Sequence, residues 1–172
     1  MEKSRGSRST RKNAPDASLR QHLVELLKGG NAHVGILDAL ENIPQRKRGA
    51  YAKGLPHTAW QLLEHLRIAQ WDILEFSRNT KHASPDFPEG YWPKTPAPPS
   101  DSAWAKSVRS FRNDLAAMIR LVANPRMDLH APFLWGSGQN LLREALLLAD
   151  HNAYHVGQIV DLRRALGIWP EA

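Results

Sequence analysis

Six prolines stand between Pro85 and Pro99, and they divide the chain. Each proline removes a backbone donor and holds φ near about −65°, so neither a helix nor an inner strand can run through them. Phe87, Tyr91 and Trp92 lie in the same stretch. A connection this long inside a compact domain is usually functional or a crossover between elements.

On both sides of it the periodicity is helical. Leu19, Leu23, Leu26 and Leu27 recur at three and four residues, the spacing of one buried stripe. Gly29-Gly30 interrupts the stripe, and Asn31 is placed to cap a second piece bearing Val34, Ile36, Leu37 and Leu40. The expectation is one long, broken helix over about 17–43, ended before Pro44. After a polar, basic connector at 45–56, Thr58 and Gln61 form a capping box for a second helix running to about Arg78. A third starts at Asp101 or Ser102, carries Trp104, Val108, Phe111, Leu115 and Met118 inward, and stops at Asn124-Pro125. The last, about 139–166, is the most apolar, and Gly167 ends it. Four helices with no strand pattern predict an all-α four-helix bundle. The proline-rich segment then serves as the long crossover between helices 2 and 3.

A chain of 172 residues suits one domain, which the patterning places at 17–172. Residues 1–16 read as a disordered basic tail: within its first 14 residues Lys3, Arg5, Arg8, Arg11 and Lys12 against Glu2 account for +4 of the chain's net +6. The remainder holds only +2, too little for a basic face of its own, so no specific nucleic-acid binding is expected. No stretch approaches the roughly 18 apolar residues of a membrane span, and the N-terminus lacks a secretory apolar region. No membrane partner and a cytoplasmic location are expected. The sequence contains no cysteine, which excludes disulfides, thiolate ligands and a protein thiol nucleophile. Any thiol chemistry must then come from a cofactor or substrate.

Within the last helix His151 and His155 are four apart, about 40° around the axis and about 6 Å along it, so two imidazoles can reach one ion from one face. Spacing alone is a weak signal, because eight histidines produce on the order of 0.4 such pairs by chance. Context adds to it. Asn140, Glu144, His151, His155 and Gln158 share one face of an otherwise leucine-rich helix. Burying such groups without partners costs about 1–3 kcal/mol each, and a metal or ligand site would explain a polar stripe there; a face turned to solvent is the other reading. For a third ligand, His65 sits amid Leu62, Leu63, Leu66 and Ile68, where a core histidine bonded to a carbonyl is the commoner role. His33 could face the same cavity, and His57 suits a structural place at the entrance of helix 2. His22, His82 and His130 read as surface or loop residues.

The segments "LLKGGNAHV", "LPHTAWQLLEHLRIAQWDILEFSRN" and "LLREALLLADHNAYHVGQIVDLRRALG" resemble the DinB-like (YfiT-like) superfamily of metal-dependent enzymes over about residues 18–168. The resemblance implies a four-helix bundle of unusual connectivity, often dimeric. It also implies a divalent metal held by one histidine of the second helix and an H-x-x-x-H pair of the fourth. By motif these are His65 in "LLEHL" and His151 and His155 in "DHNAYHVGQ". Known activities of the family include transfer to low-molecular-weight thiols and thiol-dependent isomerisation.

Three neutral nitrogens leave a divalent ion an open position, as in catalytic sites. A thiol or water bound there would be a nucleophile at neutral pH. Zinc or nickel are the first expectations, with iron or manganese next; affinity order alone does not choose among them. Asn152 occupies the slot where an H-E-x-x-H protease keeps its base, which argues against peptidase chemistry. Glu144 is the candidate general base or partner behind the ligands. Trp92 and Trp135, borne on loops, are candidate pocket walls. The expectation is therefore a small-molecule transferase or hydrolase working on a three-histidine metal site, with a cytosolic thiol as partner and a homodimer as the assembly. A non-catalytic metal or small-molecule binding module is the alternative.

Overall fold

A computed structural model describes the protein over residues 13–170. Residues 13–16, assigned to the tail by composition, already belong to the first helix; the rest of the tail lies outside the described residues. Those described form five α-helices and two short 3₁₀ turns, with no strand. The helices are α1 (Asn13–Lys28), α2 (Ile36–Leu40), α3 (Ala59–Arg78), α4 (Asp101–Ala123) and α5 (Leu141–Ala165).

The expected broken helix is two. Gly29 and Gly30 take φ of 67° and 82° and α1 stops before them. Asn31 does not cap α2, whose N-cap is Gly35; its side-chain amide instead donates back to the Glu25 carbonyl at 3.4 Å. At the head of α3 the capping box forms as read: Gln61 N–H donates to Thr58 Oγ1, and Thr58 N–H donates to Gln61 Oε1. The same Thr58 hydroxyl donates to the Pro96 carbonyl at 2.5 Å, so the residue that starts α3 also ties down the proline-rich connection. Ser100 caps α4 by accepting from Ala103 N–H. At the end of α5, Gly167 has a φ of 66°. Gly167 N–H donates to Arg164 O and Ile168 N–H to Arg163 O. This paired closure needs a left-handed residue, which glycine adopts without a Cβ penalty.

The helix α3 packs on α4 and α5, α1 packs on the same two helices, and α2 lies against α5. Between them Leu63, Leu66, Leu74, Phe111, Met118, Leu148 and Ile159 are wholly or almost wholly buried, each contributing about 1.5–3 kcal/mol. Two arginines close helix ends across the core. Arg20 on α1 donates to the carbonyls of Val122, Asn124 and Met127, and Arg163 on α5 donates to those of Ala39 and Ile168. These satisfy carbonyls that a helix terminus leaves without partners. No described helix is long and apolar enough to cross a membrane.

Candidate metal centre

Polar residues of α3 and α5 meet where the two helices pack on each other. His65 is mid-way along α3, flanked by the buried Leu62, Leu63 and Leu66. His151 and His155, one turn apart on α5, face it. His65 and His155 are buried and His151 is half-buried. One ligand nitrogen from each lies within 4.8 Å of the other two, with ring centroids 4.6–5.0 Å apart. No other three acidic or histidine side chains among the described residues converge this way.

The hydrogen bonds behind the rings set which nitrogen points inward. His65 Nδ1–H donates to the Tyr91 carbonyl at 3.0 Å. His155 Nδ1–H donates to Gln158 Oε1 at 2.7 Å. In each neutral ring the lone pair is thereby placed on Nε2, as second-partner hydrogen bonds do in metal-ligating histidines. His65 Nε2 accepts from His151 Nε2–H at 3.1 Å, and His151 Nδ1 is buried with no partner. Burial, with the neighbouring imidazoles adding to it, pushes His65 and His151 down to about 4. His155 is lowered for the same first reason, burial. All three are neutral at physiological pH, the protonation state that coordinates a metal. Two fixed tautomers, three clustered ring nitrogens and an orphaned buried nitrogen suit a divalent transition ion. The three residues can hold one ion.

The connection between α3 and α4 forms one wall. Trp92 lies flat on His65, 4.0 Å between centroids and 3° between planes. His57 stacks on the same indole at 4.1 Å. Tyr154, exposed, sets its ring edge-on to His155 at 5.0 Å. Behind this wall a second polar layer begins at Asp72. Its carboxylate accepts from Tyr91 O–H at 2.6 Å and from His82 Nε2–H at 2.7 Å.

Other sequence expectations fall differently. Asn140 is the N-cap of α5, accepting from Arg143 N–H and donating to the His130 carbonyl, so it leaves the inward stripe. Gln158 bonds His155 directly. His33 is exposed, its Nδ1–H donating to the Val34 carbonyl; the break after α1 carries it away from the cavity. His82, expected at the surface or in a loop, lies in the connection after α3, but its side chain is only 6% exposed because Asp72 draws it inward. Trp135 bonds the Phe76 carbonyl and stacks on Phe133, away from the histidines. Asn152 turns into the core and donates to Gln70. Glu144 is 2% exposed and accepts from Arg143 at 2.7 Å. Burial raises its pKa, with the nearby charge of Asp72 a minor contributor. Seven residues before His151, it stands about 10.5 Å along the axis from that ring. No acidic side chain among the described residues hydrogen-bonds to any of the three histidines.

Tyr91 and Asp72 had no sequence signal as site residues. The only trace of them was the aromatic content of the proline-rich segment.

No curated protein and no solved structure matches the chain. The family model described as DinB superfamily matches residues 32–159, three quarters of the sequence and all three converging histidines, and the chain therefore belongs to the DinB superfamily.

Proposed function

We propose that this protein is a metal-dependent enzyme that holds one divalent transition ion on His65, His151 and His155. The reaction class that suits it is transfer of a small electrophile to a low-molecular-weight thiol, or hydrolysis of a small molecule. The observation that carries the reading is the pair of fixed tautomers: Tyr91 O and Gln158 Oε1 each take an Nδ1–H, which turns two Nε2 lone pairs toward the same point.

When bound, such an ion supplies Lewis acidity that lowers the pKa of a thiol or water. The chain's own residues do the rest. The histidines remain neutral because they are buried, Trp92 and His57 close one side of the site against water, and Tyr154 and Gln158 border the α5 side. With no cysteine in the sequence, a thiol nucleophile has to be the co-substrate. For Glu144 we propose a place behind the ligands, because its distance along α5 keeps it from direct contact with a substrate at the histidines. The four long helices are read as the family's four-helix bundle, with residues 79–100 as its crossover, forming one domain and working in the cytoplasm as a homodimer.

A second reading, a metal or small-molecule binding module without catalysis, is favoured by one observation: no carboxylate among the described residues hydrogen-bonds to the three rings. Elemental analysis of the freshly purified protein tests the metal. About one equivalent of a transition metal is expected, lost in His65→Ala and in the double His151→Ala/His155→Ala variant. A protein that carries none and takes up neither zinc nor nickel on addition overturns the proposal. Metal-loaded protein that turns over neither thiol-conjugation nor ester substrates leaves the binding module as the reading.

A further inference from the structure

Asp72 follows His65 by seven residues on α3, two turns along the same face and about 10.5 Å away. One residue of the facing connection spans that gap. The Tyr91 hydroxyl donates to Asp72 Oδ2 at 2.6 Å, while the Tyr91 carbonyl accepts from His65 Nδ1–H at 3.0 Å. The next residue, Trp92, supplies the ring on which His65 lies. The other oxygen of Asp72 accepts from His82 Nε2–H at 2.7 Å, ten residues further along the chain. A single carboxylate, 9% exposed, therefore grips the connection at two points, residues 82 and 91. At the second, Tyr91 supplies the carbonyl and its neighbour Trp92 the ring that hold the imidazole.

We propose that Asp72 is a positioning residue for the metal centre, fixing through Tyr91 the tautomer and ring orientation of His65. The inference rests on the metal reading given above only for its consequence, the affinity for an ion; the positioning itself is a property of the metal-free chain. Charge makes the grip firm, because hydrogen bonds to an ionised carboxylate are about twice as strong as neutral ones. The phenol keeps its proton across the physiological range: burial first, and the Asp72 carboxylate second, push Tyr91 up to about 12. Loosening that phenol leaves the Tyr91 carbonyl free to drift from His65 Nδ1. The imidazole then exchanges between tautomers, and the Nε2 lone pair faces the site for only part of the time.

The test compares wild type with Tyr91→Phe and Asp72→Asn by two readouts. Long-range ¹H–¹⁵N NMR of the metal-free protein at pH 8 reports the tautomer of each histidine, and competition with a chromophoric chelator gives the zinc Kd. The expected result is a single Nδ1–H tautomer for His65 in wild type. Both variants should show a mixture, with zinc affinity weakened about tenfold, the scale of lost partners behind metal ligands. A purely structural role would lower the melting temperature and leave the tautomer in place. Phenylalanine retains the edge contact with Phe87 at 6.0 Å, so Tyr91→Phe decides alone if Asp72→Asn does not fold. An unchanged His65 tautomer, or a shifted tautomer with zinc affinity within twofold of wild type, overturns the proposal. A wild type that carries no metal and takes up neither zinc nor nickel refutes the metal reading instead, and the tautomer comparison then decides by itself whether Asp72 positions His65.

Discussion

The imidazole of His65 lies face to face on the indole of Trp92, 4.0 Å between centroids and only 3° from parallel. A residue of α3 and one of the proline-rich connection thus share one plane direction, with His57 stacked on the same indole. The contact limits rotation of a ring already held at Nδ1 by the Tyr91 carbonyl. Aromatic pairs of this kind contribute about 0.5–1.5 kcal/mol beyond the area they bury. Trp92→Ala is expected to weaken zinc binding about three- to tenfold, while Trp135→Ala, whose indole stacks on Phe133 instead, leaves it unchanged. Zinc titration of the two variants side by side is the check.

Acid should destabilise the metal-free protein in a defined window. His65 and His151 are held at about 4 in the folded state, with burial the main cause, against an ordinary 6.5. Below 6.5 the unfolded chain takes up protons that the folded one refuses, so the stability is whole above that pH and drains away as pH falls toward 4. The two rings are neighbours and His151 is half-buried, which reduces their joint effect to on the order of 2–4 kcal/mol. Urea unfolding between pH 7 and pH 4 measures it. The double variant His65→Phe/His151→Leu should show a flatter profile, and an equally steep one would place the acid sensitivity elsewhere.

The H-x-x-x-H pair was legible because a helix puts residues four apart on one face, and a polar stripe on a leucine-rich helix stands out. The capping box at Thr58 and Gln61 was legible for a similar reason, since both partners are local. What escaped the sequence is tertiary. Asp72 looks like any surface acid of α3, and only the fold of the proline-rich connection brings Tyr91 and His82 onto it. Asn140 was misplaced because a cap residue and an inward-facing residue share the same helical position until the helix boundary is known. His33 was misplaced because the break at Gly29-Gly30 redirects the chain in a way periodicity does not express.

Gly157 lies in the interior of α5, between His155 and Gln158, and a Cβ built there meets nothing within 4 Å. Its backbone is helical, so it carries the entropic cost of glycine without a packing reason. Gly157→Ala is expected to stabilise the fold by about 0.5–1 kcal/mol. It should also leave metal content at the wild-type level. Thermal unfolding with and without zinc checks both halves, and a loss of stability would mean that this exposed face of α5 is covered in the assembled protein.

Glu144 either stands behind the ligands or accepts the proton itself, and its glutamine variant separates the two roles. Burial raises its pKa above the ordinary 4.5 despite the bond from Arg143, so charging it costs more in the folded protein than in the unfolded chain. A group of that kind contributes fully below its unfolded pKa, and the contribution is lost as pH rises through the folded value. At pH 7 the charged carboxylate is therefore a burden to the fold. Replacing it with the neutral, similarly sized glutamine should stabilise the protein by on the order of 1 kcal/mol, a gain that fades below pH 4.5. The distance of two helical turns from His151 predicts that Glu144→Gln keeps its full metal content. If metal-loaded wild type turns over a thiol-conjugation substrate, the variant should lose no more than about tenfold in kcat, because a residue behind the ligands tunes the site without touching the reacting atoms. A loss of a thousandfold with metal intact would make Glu144 the proton acceptor itself, reached through water across the α3–α5 contact.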